Sequence, residues 1–130
     1  MDFTRRIELD EPYDAAIPRV KEALKDQGFG VLTDIDVRQT LKEKLDIDVE
    51  PQIILGACNP QLAHRALEID PRIAALLPCN VVVRSENGRT VVEALDPKII
   101  ADIPDNPDLA PIADEASERI QSALDALRSA

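Results

Sequence analysis

The dipeptide Asn87-Gly88 constrains this chain more than any other feature of the sequence. It lies between two short runs of strand-forming residues, Cys79 to Ser85 and Thr90 to Leu95. A two-residue turn of this type needs positive φ at both positions, which Asn and Gly tolerate, and it joins antiparallel neighbours. The fold must therefore contain a sheet with at least one antiparallel pair.

The rest of the chain alternates between strand-like and helix-like patterns. Phe3 to Leu9 reads as a strand with Phe3, Arg5, Ile7 and Leu9 on one face, Arg5 being the polar lapse. Asp14 is placed to cap a helix running to about Gln27, with Pro18 near its first turn, a stripe of Ile17, Val20, Ala23 and Leu24, and Gly28 as its stop. Phe29 to Ile35 is a second strand. Asp36 with Gln39 forms a capping-box pattern ahead of a short helix carrying Val37, Leu41 and Leu45.

Gln52 to Ala57 is a compact apolar strand. Asn59-Pro60 opens the next helix, Asn as cap and Pro at the first helical position. That helix runs to about Ile69, is broken at Asp70-Pro71, and is followed by a helical turn or two to Leu77. After the hairpin, Asp96 to Asn106 reads as a loop with one helical turn at Ile99-Ile100. Asp108 is placed to cap a last helix, Leu109 to Leu127.

The expected order is β-α-β-α-β-α-β-β-α, an α+β two-layer sandwich with a mixed five-stranded sheet. At 130 residues it forms one domain, 1–130, large enough to need no stapling by metal or disulfide. Apolar residues make up 45% of the chain, too many for disorder, yet aromatics only 2%. Ile, Leu, Val and Ala must pack the core, and an aromatic-lined cofactor pocket is not expected.

Charge excludes further classes. A net charge of −10 opposes phosphate backbones, and three aromatics supply no base-stacking platform, so nucleic acid is not an expected partner. The acid is unevenly spread: Pro51 to Val92 holds three acids and four Arg, while Ala101 to Glu118 holds six acids and no base. That acidic run is either a solvated loop and helix start or a docking surface for a basic partner. No apolar run follows Arg5 and Arg6 to make a signal peptide, and no stretch approaches the ~18 apolar residues of a membrane span. Two cysteines are too few for a disulfide scaffold, so the expected location is cytoplasmic and the expected state reduced.

The chemistry candidates lie in the near-neutral window: Gly56-Ala57-Cys58-Asn59-Pro60 and Leu77-Pro78-Cys79-Asn80, with His64 four residues into the intervening helix. Cys58 just before a helix N-terminus is expected to have a lowered thiol pKa. Cys58, Cys79 and His64 are a candidate donor set for a metal ion, with Asn59 or water as a fourth ligand, although their spacing matches no established motif. The alternative is that both cysteines are small buried residues, Asn59 and Asn80 cap a helix and a turn, and His64 is merely exposed. The two sulfurs meet only if Pro51–Ala57 and Cys79–Ser85 run antiparallel or the helical segment folds back. In a parallel arrangement a seven-residue strand at about 3.3 Å per residue holds them roughly 20 Å apart.

Other constellations are weaker. There is no Gly-x-Ser-x-Gly elbow and no triad partner for the single His. Asp34 and Asp36 form a carboxylate pair at a strand–helix junction, the basis for a small hydrolase or lyase reading, but Asp36 is already explained as a cap. Gly28-Phe29-Gly30 opens a strand and makes no phosphate cradle.

Four phrases in order carry a resemblance: Gly28-Phe29-Gly30-Val31-Leu32-Thr33, Thr40-Leu41-Lys42-Glu43-Lys44, Ile54-Leu55-Gly56-Ala57-Cys58-Asn59-Pro60, and Leu76-Leu77-Pro78-Cys79-Asn80-Val81-Val82-Val83. From about Asp10 to Leu127 the chain resembles the domain of unknown function 302 family of small prokaryotic proteins. The resemblance implies an α+β fold, soluble homodimers and no established enzyme activity or catalytic residues. It also implies that Cys58 and Cys79 serve only a subgroup, since many members keep the Asn-Pro and Leu-Pro frame without them. The expected function is a non-enzymatic dimerising module that binds a small ligand or a protein, with no resident cofactor. The thiol or metal site on Cys58, Cys79 and His64 is the first alternative.

Overall fold

A computed structural model describes residues 2–129, so Met1 and Ala130 of the expected 1–130 domain lie outside the described residues. The strands are β1 (Thr4–Leu9), β2 (Gly30–Asp36), β3 (Gln52–Cys58), β4 (Cys79–Glu86) and β5 (Arg89–Leu95). The helices are α1 (Tyr13–Asp26), α2 (Val37–Leu45), α3 (Pro60–Ile69), the short α4 (Ile99–Asp102) and α5 (Ala110–Ser129). Two 3₁₀ segments, Pro71–Leu76 and Pro107–Leu109, precede β4 and α5.

The sheet order is β1-β5-β4-β3-β2, and the α+β class holds. The expected mixed sheet does not: every neighbouring pair is antiparallel. The reason lies in the connections. The segment α3 plus Pro71–Leu76 carries the chain back to the end of the sheet where β3 finished, so β4 starts there and runs the opposite way. The hairpin is as expected, with Asn87 at φ 51° and Gly88 at φ 81° joining the Glu86–Arg89 pair.

Residues paired in register share a face, and successive residues alternate. Ile7, Val92, Val83 and Ile53 form one row beneath the helices, and Ala94, Val81 and Leu55 the next. With Val20, Leu24, Phe29, Leu62, Ile112, Ile120 and Leu124 they make one core of mostly aliphatic side chains. Arg5 belongs to this helix-facing side. Its guanidinium donates to Ser117 Oγ at 2.7 Å, Gln121 Oε1 at 2.5 Å and Asp96 Oδ2 at 3.3 Å, tying β1 to α5 and the end of β5.

Several boundaries follow local chemistry other than that read from the sequence. Pro12, not Asp14, is the N-cap of α1; Asp14 sits in the first turn, and Pro18 lies inside the helix. Asn106, not Asp108, caps the approach to α5, its Oδ1 accepting from Asp108 N at 3.0 Å. The register of β2 against β3 slips between Val31 and Thr33, so Leu32 bulges out and is 67% exposed. No residue of α2 is buried, despite its apolar stripe. No helix among the described residues is long and apolar enough to cross a membrane.

Candidate functional site

The two cysteine segments meet. Ala57 pairs with Cys79 in the β3–β4 ladder, so Cys58 and Cys79 lie at one end of the sheet on neighbouring strands. Both line a cavity of about 30 Å³ under α3 and α5. Organic-ligand pockets are commonly about 300–1,000 Å³, so this one has room for an ion or a water but not for a cofactor. Phe29, Leu62, Leu77 and Ile112 contribute apolar walls.

Asn59 is fixed by the local fold. Its Oδ1 accepts from Leu62 N at 3.2 Å as the cap of α3, and Pro60 follows at the first helical position. Asn59 also lines the cavity and is buried. Gly28, at φ +84°, lets the chain leave α1 against this cap; a Cβ there would come 2.9 Å from Asn59 Nδ2.

The remaining candidates are elsewhere. The His64 side chain is 76% exposed and its Nδ1 lies 3.5 Å from Glu68 Oε1, one helical turn on. It does not line the cavity. Asn80 pairs with Gly56 and faces the opposite side of the sheet, in a surface groove with Phe3, Val82 and Leu95. Among the described residues, no group of three or more His, Cys, Asp or Glu is placed to hold a metal ion. Asp36 Oδ1 caps α2 through Gln39 N at 3.0 Å, and Asp34 pairs with Lys21 at 3.7 Å; neither lines the cavity.

The thiol acidity corrects the expectation. Burial pushes Cys58 up, not down, and pushes Cys79 up to about 11, with the neighbouring Cys58 adding to the effect. Desolvation of a thiolate in an apolar wall outweighs the helix-end dipole, which is effective only where the charge stays solvated or directly bonded. Both cysteines are free thiols, and at neutral pH they hold their protons.

The opposite sheet face is the feature sequence reading passed over. Glu93, Val82, Ile54 and Ile35 form a cross-strand row on the side away from the core. Ile35 is 50% exposed, and Phe3 at the other end of the face is 53% exposed. Four of the seven exposed large hydrophobics fall between Leu32 and Ile47. The signal was present in the alternation of β3 and β4, Ile54 against Leu55 and Val82 against Val81, where apolar residues occupy both faces.

Comparison with known proteins agrees with this architecture. Residues 5–127 match the family described as "Domain of unknown function DUF302". A crystal structure of an uncharacterized conserved DUF302 protein from Bacillus stearothermophilus is 34% identical and superposes with a TM-score of 0.89, covering 96% of this chain and 98% of that one. No curated protein matches the chain.

Proposed function

We propose, for a chain that belongs to the DUF302 family, a non-catalytic cytoplasmic module that works as a homodimer and binds its partners by surface contact. The observation that carries this reading is the apolar row Val82–Ile54–Ile35 on the sheet face away from the core, with exposed Phe3 beside Val82. Isolated exposed apolar residues are ordinary, but a contiguous apolar strip across three strands marks a contact surface. A second copy of the chain is the occupant proposed. The same strip on two copies is self-complementary about a two-fold axis. Arg84, bonded to Glu86 at 2.9 Å and Glu93 at 2.8 Å, already neutralises the acids at its border.

Light scattering on the purified chain tests this. The expected mass is twice the 14.3 kDa of one chain at micromolar concentration, and Ile35→Glu should return it to 14.3 kDa without loss of helix signal. Ile103→Glu, at an exposed position beyond α4, should leave the dimer intact. A wild-type chain that stays at 14.3 kDa at every concentration removes the proposal.

A further inference from the structure

Arg5 stands on the helix-facing side of β1, and one carboxylate organises its surroundings. Asp96 Oδ2 accepts from Arg5 Nε at 3.3 Å, while its Oδ1 accepts from Ser117 Oγ at 3.0 Å and from the backbone N–H of Lys98 at 3.1 Å. Arg5 also donates to Ser117 and Gln121, so two of the five N–H groups of its guanidinium have no partner among the described residues. Asp114, Ser117, Glu118 and Gln121 are spaced by one, three and four residues along one face of α5. With Arg5 and Lys98 they line a groove of about 420 Å³, a size that suits a small organic molecule, and every one of the six is polar or charged.

The groove keeps opposite charges apart. Glu115, on the same helix, pairs with Arg65 at 3.6 Å and with Arg119 at 3.2 Å. Lys98, Asp114 and Glu118 make no ion pair among the described residues. Asp114 and Glu118 are like charges one helical turn apart, an arrangement that weakens a helix unless a cation relieves it. Asp96 already balances part of the Arg5 charge, so Lys98 is the unmatched cation. A simple anion would satisfy one side of the groove and be repelled by the other, and so would a simple cation. A molecule with an ammonium next to a carboxylate satisfies both sides at once. We propose that this groove binds a free α-amino acid, its carboxylate on Lys98 and the two open N–H groups of Arg5, its ammonium on Asp114 and Glu118.

The binding groups are held before any ligand arrives. Asp96 fixes the Arg5 guanidinium and the backbone at Lys98 together, and Ser117, only 2% exposed, locks the same carboxylate from α5. Such preorganisation lowers the ordering cost of binding. No apolar residue lines the groove, so a small polar amino acid suits it better than a large apolar one. The site is independent of the dimer surface, because Arg5 faces the helices and the Val82–Ile54–Ile35 row lies on the other side of the sheet.

The test is backbone-amide NMR of the isotope-labelled chain, titrated separately with L-serine, acetate and methylamine. L-Serine should shift the amides of Lys98, Ser117, Glu118 and Gln121 saturably at millimolar concentration. Acetate and methylamine, each lacking one of the two charges, should bind at least about 10-fold more weakly. Lys98→Gln and Glu118→Gln, both at exposed positions, should each weaken L-serine by about 10-fold or more. Asp108→Asn, in the same acidic stretch but outside the groove, should bind as wild type. The three ligand titrations use the unaltered chain, so they stand whatever the variants do. No saturable shift with L-serine, acetate or methylamine binding as tightly as L-serine, or undiminished binding by Lys98→Gln and Glu118→Gln would each overturn the proposal.

Discussion

Gly56→Ala tests a closely packed point in the sheet. Gly56 is buried in β3 and pairs with Asn80 of β4 on one side and Thr33 of β2 on the other. A Cβ at position 56 would lie 2.9 Å from Pro78 Cγ and would collide with Thr33 Oγ1. Neither obstacle is the free end of a flexible chain: Pro78 is a ring held at the start of β4, and Thr33 is a β-branched residue in β2. The backbone at Gly56 is not in the left-handed region, so the cost is steric alone.

Two opposing effects set the magnitude. Replacing Gly by Ala within a strand gains about 0.5–1 kcal/mol from the unfolded chain's lost freedom. Forcing an extra methyl into a filled site costs about 1–3 kcal/mol, and here two neighbours must move. The net expectation is a loss of about 1–2 kcal/mol, a fall in Tm of about 3–8 °C for a domain this size. Thermal and urea unfolding read it directly. Gly30→Ala is the matched control, since a Cβ there meets nothing within 4 Å; it should be neutral or slightly stabilising. Pairing Gly56→Ala with Thr33→Ala should recover part of the loss, because one of the two obstacles is gone. A Gly56→Ala chain that melts with or above wild type refutes the steric reasoning.

Two further outcomes follow from the buried polar groups. Cys79, with an ordinary value of 9.0 moved up to about 11, keeps its proton in the native state after the unfolded thiol has lost it. Stability that is complete below pH 9 should therefore fall as pH rises from about 9 to 11, by about 2–3 kcal/mol from this group. Urea midpoints across that range should drop more steeply in wild type than in Cys79→Ala; parallel curves refute it. Ser117, only 2% exposed, donates to Asp96 Oδ1 at 3.0 Å and accepts from Arg5 at 2.7 Å. Burial alone would raise Asp96, but the bonds from Lys98 N, Ser117 and Arg5 outweigh it and hold its carboxyl below the usual range. Ser117→Ala should cost about 1–3 kcal/mol in urea unfolding at pH 7 and raise the Asp96 titration followed by carbon NMR; an unchanged midpoint counts against the network.

Sequence reading succeeded where the determining contacts are local. The Asn87-Gly88 turn, the Asp36–Gln39 cap and the Asn59-Pro60 helix start each depend on residues two to four apart, and each is present. It failed where the deciding partner is distant. Arg5 looked like a lapse in an apolar strand because its partners, Asp96, Ser117 and Gln121, lie some ninety or more positions away. Both Asp14 and Asp108 had the chemistry of a cap, but Pro12 and Asn106 stand earlier in the chain at the points where it turns into helix. The direction of β4 relative to β3 depends on how α3 and Pro71–Leu76 fold back, which no local pattern encodes.

The thiols show how far that gap reaches into chemistry. From sequence, Cys58 is one residue from a helix cap, and the helix dipole is the sole influence in view, so a lowered pKa follows. The fold partly buries the same thiol at the edge of a cavity that Phe29 and Leu62 also line, and desolvation pushes its pKa up. The β3–β4 register does the rest. It sets Cys79 against Ala57 on the core side while packing Pro78 onto Gly56 from the other. Three consecutive residues of β3, Gly56 to Cys58, thus join the close approach of Pro78 to the edge of the cavity under α3 and α5. The absence of a side chain at Gly56 is what lets Pro78 approach β3 closely enough to start β4 with Cys79 beside the cavity.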